Sequence, residues 1–139
     1  MRKLIVVVFF TPTLRVLLKT KEINGRKLFV LLDAWQKRGE SNIGTLKRIV
    51  KEIESLAPPQ TFRLRFTKLR ELEMRTKFGK VKKVYYVCYL PFEPILEIES
   101  GIVSVEREGL AEFKKEIPKE DYSIILETLA IQKSLIDFL

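Results

Sequence analysis

The stretch "KLIVVVFF" (3–10) constrains the fold more than any other part of the chain. It is short, rich in β-branched residues and halted by Thr11-Pro12, so it reads as a buried β-strand. A basic start followed by an apolar run also fits a signal peptide. However, no small-residue cleavage site follows, and the sequence turns charged. A first strand is the better reading, and no segment approaches transmembrane length.

Local signals extend the pattern. "TLRVLLKT" (13–20) reads as a second strand, followed by an Asn24-Gly25 turn. "RKLFVLLDAWQKRG" places Leu28, Leu31, Leu32 and Trp35 at helical spacing, with Lys37 and Arg38 in the last turn and Gly39 as a stop. Ser41 or Asn42 can cap a second helix, whose Leu46, Ile49, Val50 and Ile53 share a face before Pro58-Pro59 ends it. The period then switches to two. Phe62, Leu64 and Phe66 alternate with Arg63 and Arg65, and Leu72, Met74, Thr76 and Phe78 with Glu71, Glu73, Arg75 and Lys77. Gly79-Lys80 suits a hairpin tip, and "ILEIES-G-IVSVERE" suits another tight hairpin. "GLAEFKKEI" and the segment from Pro118 onward read as helices, the latter with acids in its first turn. The predicted fold class is α+β. An antiparallel meandering sheet carries two helices from the N-terminal half, with residues 1–117 as the domain and 118–139 as a C-terminal helical arm.

The chain names little chemistry. It has no histidine and Cys88 is its only cysteine, which removes disulfides, Cys/His zinc sites and histidine acid–base catalysis. A reducing, cytoplasmic compartment is expected. With Lys, Glu and Arg abundant and only three Gln and two Asn, the composition leans toward that of hyperthermophiles. Residues 39–54 resemble a Nudix box in their loop–helix context, through Gly39 and the run Lys51-Glu52-Ile53-Glu54. The pattern's first glutamate falls at Thr45 and the paired metal-binding acids are missing, so the box is rejected. Glu112-Phe113-Lys114 has the acid-x-Lys spacing of metal-dependent nucleases, but it sits in a helical pattern as a solvated face. Asp33 reads as a surface residue, Trp35 as core and Cys88 as a small buried hydrophobe. The chain is therefore expected to be no enzyme, with no metal and no cofactor.

Charge points to a partner. Residues 1–90 hold 21 Lys/Arg against 7 Asp/Glu, whereas residues 91–139 hold 5 against 11. Such a split suggests a polyanion for the first part. Arg63, Arg65, Lys68, Arg70, Arg75, Lys77, Lys80, Lys82 and Lys83 are interleaved with aromatics, among them Tyr85 and Tyr89. On strands these residues pair phosphate neutralisation with rings for base stacking, so single-stranded DNA or RNA is the expected ligand. The layout is faintly similar to the ThermoDBP family of archaeal single-stranded-DNA-binding proteins.

The last residues offer a second partner. Gln132, Leu135, Phe138 and Leu139 resemble the PIP box, the peptide by which archaeal and eukaryotic replication and repair proteins hold the PCNA sliding clamp. The resemblance implies that Gln132 fills a polar pocket of the clamp and the other three its hydrophobic one. Two alternatives stand beside it. Ile125, Leu129, Gln132, Ile136 and Leu139 repeat like a coiled-coil seam, which would make a homodimer, or the helix packs on its own sheet. The expectation is a non-catalytic replication or repair accessory protein that binds single strands and docks on the clamp. The alternatives are a homo-oligomeric structural protein and, more remotely, a small metal-dependent nuclease.

Overall fold

A computed structural model of the chain describes residues 2–56, 63–96 and 100–138, with backbone alone beyond Ile131. The opening run forms β1 (Arg2–Phe10). On one edge it pairs in parallel with β6 (Gly79–Tyr89), in register from Arg2 opposite Val81 to Phe10 opposite Tyr89. On the other edge it meets β4 (Leu32–Trp35) and, at Phe10, the start of β2 (Val16–Ile23), both antiparallel. Leu4, Val6, Val8 and Phe10 enter one core, while Ile5, Val7 and Phe9 enter the other. A strand covered on both faces has no solvent side, and this explains its unbroken apolar sequence.

Helix α1 (Asn42–Glu54) covers one face through Leu46, Ile49 and Ile53, and α2 (Lys119–Phe138) covers the other through Ile124, Ile125 and Leu129. The result is an α+β arrangement, a sheet between helices. The parallel pair β1–β6 makes that sheet mixed. Residues expected to form an arm thus include a structural layer. Ile125 and Leu129, two positions of the supposed seam, lie in the chain's own core. Among the described residues no helix is long and apolar enough to cross a membrane.

Residues 26–35 correct the helical expectation. They form β3 (Arg26–Val30), which pairs with β2 through a turn at Asn24 and Gly25, and then β4. Both turn residues have positive φ, 51° and 77°, as a two-residue hairpin of matching twist requires. The helical spacing of the leucines is real but loses to packing. Leu31 enters the α2-side core and the adjacent Leu32 the α1-side core, an opposition that an extended chain provides and a helix does not.

Two further expectations shift. Strand β5 (Thr67–Thr76) begins later than the alternation implied, with Arg63 and Arg65 exposed ahead of it and Phe62 outside the described residues. Its turn into β6 is Lys77-Phe78, since Thr76 lies opposite Gly79. Strand β7 (Ile102–Val105) pairs with β2, from Val16 opposite Val105 to Lys19 opposite Ile102, while residues 97–99 of the expected hairpin lie outside the described residues. A 3-10 helix, Arg107–Phe113, then leads toward α2.

Candidate functional site at the start of α1

Among the described residues, a dense polar network of side chains lies where β4 runs into α1. Gly39, at φ +79°, lets the connection turn, and the Ser41 hydroxyl caps the helix by accepting from the Gly44 N–H at 3.1 Å. Between them, Glu40 is fully engaged. Its Oε2 accepts from Arg48 Nε at 2.7 Å, and its Oε1 accepts from Arg48 Nη2 at 2.6 Å, the Thr45 hydroxyl at 2.7 Å and the Lys37 N–H at 3.1 Å. The Arg48 hydrogen bonds, above all, hold this carboxyl far below the usual carboxylate range. Arg48 Nη2 also donates to the Trp35 carbonyl at 2.6 Å, so one guanidinium fastens both ends of the connection.

Asn42 joins this unit to the sheet. Its Oδ1 accepts from Gln36 Nε2 at 2.9 Å and Lys3 Nζ at 3.2 Å, and its Nδ2 donates to the Tyr86 hydroxyl at 3.0 Å. Trp35 is 41% exposed, a correction to its core assignment, with the Arg2 guanidinium 4.1 Å from its ring centre. Asp33 lies on β4, half-buried, 3.1 Å from Lys19 Nζ. Of this network only Gly39 as a stop and the Ser41 cap are legible in the sequence; the Glu40–Arg48 pair and the Asn42 links are not. The pair's only local signal is an acid directly ahead of a good N-cap, with an arginine two turns further on.

The expected basic surface is only partly assembled. Arg70 meets Glu127 at 2.5 Å and Lys83 meets Glu120 at 2.8 Å, both across to α2, while Lys68 and Lys82 both pair with Glu71. Tyr85 is fully buried beneath α2, so it offers no face for a base. Tyr89 is half-exposed and stacks on Phe10 at 5.5 Å. Arg63, Arg65, Arg75, Lys77 and Lys80 remain exposed. α2 fills the face on which stacking was expected.

Cys88 is buried as expected, and that burial pushes its thiol up to about 12. Glu112 and Lys114 flank the end of the 3-10 helix as exposed residues. Gln132, Leu135 and Phe138 continue the helical backbone, but their side chains, like all of Leu139, lie outside the described residues. The PIP-box resemblance therefore rests on sequence alone.

No family model and no curated protein sequence matches the chain. Solved structures do, and they define the fold as that of Nudix proteins. A mutT/nudix family protein from Listeria innocua superposes with a TM-score of 0.73 at 11% identity, covering 99% of this chain and 97% of that one. The NUDIX domain of Shewanella oneidensis NrtR, solved with ADP ribose, gives 0.68 at 17% identity over 94% and 87%. The E. coli dihydroneopterin triphosphate pyrophosphohydrolase gives 0.66 at 15% identity over 90% and 92%. These matches overturn the expectation of a non-catalytic, DNA-binding, clamp-docking accessory protein, because the chains that share this fold include hydrolases. The expectation of no enzyme falls with it. The loop and helix expected over residues 39–54 are present, and Thr45 stands where the box's first glutamate would fall.

The chemistry of that segment is another matter. A Nudix box holds its metal through paired acids, and α1 does not carry them. Its inward positions are Thr45, Leu46, Ile49 and Ile53, all buried. Glu52 and Glu54 are exposed, and Glu40 is committed to Arg48. Among the described residues no three of His, Cys, Asp and Glu converge as a metal site needs. The residues present do not fit the metal.

Proposed function

We propose that this chain is a hydrolase of the Nudix type, acting on a phosphorylated compound of the nucleotide class. The observation that supports it is the fold, shared across nearly the whole chain with structures that include a pyrophosphohydrolase and an ADP-ribose-bound domain. The net charge of +8 suits an anionic substrate. So does the neighbourhood of α1, where Arg2 lies over the half-exposed Trp35 ring, Lys3 reaches Asn42, and Lys37 and Arg38 follow Trp35 in the chain. In the reaction, a water oxygen bonds to phosphorus, the bridging P–O bond breaks with its electron pair leaving on the departing phosphate, and the water's proton passes to that oxygen or to bulk solvent. A cytoplasmic setting accords with the single, buried thiol.

The test is a panel. Purified chain is incubated with ADP-ribose, nucleoside triphosphates and dinucleoside polyphosphates, and phosphate, pyrophosphate and nucleoside monophosphate are measured. Turnover of at least one compound, lost on heat denaturation, is the expected result. No turnover of any of them would sink the reading.

A further inference from the structure

The side of α1 that faces the sheet is hydrocarbon and offers no carboxylate ligand to an ion. Ile49 and Ile53 are each 0% exposed and pack with Leu46, Leu32 and Phe9 against the sheet. A carboxylate at either position would be desolvated in that core at a large cost. The only acids on α1, Glu52 and Glu54, are two residues apart and so point to different sides of the helix, where they cannot share an ion.

Glu40, the remaining acid of the segment, has no oxygen to spare. One carboxylate oxygen takes three donors and the other takes Arg48 Nε. The cation that a metal would supply is already there as a guanidinium. With Lys37, Arg38, Lys47 and Lys51 beside Arg48 in the sequence, residues 37–54 hold five cationic side chains against three acids. A segment that gathers divalent cations needs the opposite balance.

We infer that this chain handles its phosphorylated substrate without a divalent cation seated on α1, the negative charge being met by fixed Lys and Arg side chains. The inference rests on the proposed hydrolase reading, and two measurements separate the failure of one from the failure of the other. In the first, Mn²⁺ alone is titrated into the full chain and followed by its electron-spin resonance and by thermal melting. Unchanged free-Mn²⁺ signal and unchanged melting temperature are expected, since only a ligand that binds the native state raises it. Saturable binding of Mn²⁺ that is weakened in Glu52→Gln overturns the inference. In the second, turnover of the compound found by the panel is compared in EDTA and in Mg²⁺. Equal rates are expected. Turnover abolished by EDTA overturns the inference while leaving the hydrolase reading intact. Should no compound turn over in either buffer, the hydrolase reading fails, and the Mn²⁺ titration alone decides the question of the ion.

Discussion

Asp121 shows how one side chain can be set by a defect in the sheet. The break between β3 and β4 at Leu31 leaves a backbone N–H without a ladder partner, and Asp121 Oδ2 accepts from it at 3.2 Å. Burial of the carboxyl raises it from its ordinary 3.8 to about 6. The Leu31 amide and Lys83 oppose that shift, and Asp33 and Glu120 add to it. Because the folded-state value is raised, the native chain keeps a proton that the unfolded chain loses between pH 3.8 and about 6. This group's stabilisation is complete below pH 3.8 and is lost as pH rises through 6. The loss is on the order of 3 kcal/mol. Asp121→Asn keeps the acceptor without the charge. Its melting temperature should therefore exceed the wild type's at pH 8 and match it near pH 4; parallel curves for the two proteins would contradict the assignment.

At the scale of elements, α1 contributes chiefly packing. Ile49 is fully buried against β1 and β4, so Ile49→Ala should cost about 2–5 kcal/mol in a urea titration, the usual range for a truncated core residue. A cost near zero would mean the helix does not pack there. The β2–β3 turn is a second case. Gly25 has φ +77° and nothing within 4 Å of where a Cβ would sit, so Gly25→Ala meets strain in the backbone alone. That should lower stability by about 1 kcal/mol without changing the denaturant slope. Such local devices were readable in advance. The Asn-Gly turn and the Ser41 cap depend on neighbours a few residues away, and each stands where the pattern put it, whereas the period-two alternation is realised as a strand only over Thr67–Thr76. The strands at 26–35 were not readable, because Leu28, Leu31, Leu32 and Trp35 satisfy a helix until the sheet claims them.

The whole molecule carries +8, and that charge should govern substrate capture. Raising ionic strength from about 0.1 M to 1 M shortens the screening length from about 10 Å to 3 Å. KM for a polyphosphate substrate should rise with salt while kcat changes little; a salt-independent KM would mean that fixed charge plays no part in binding. The excess of Lys and Arg over residues 61–90 does not by itself make a free basic surface, because charge counted along a chain ignores where its partners fall. Lys83 and Arg70 reach acids of α2 that lie 37 and 57 residues away.

By itself, the sequence determined the α+β class, the buried first strand, a capped helix beginning after Ser41 or Asn42 and the buried thiol, for these follow from composition and short-range period. It also showed that the acids of a metal-binding box are absent. Only the tertiary structure decided that β1 runs parallel to β6, that α2 is a layer of the sheet's core, and that the whole is a Nudix fold. Those outcomes depend on which distant apolar surfaces exclude water from one another, a choice made by three-dimensional packing that no stretch of a few residues records.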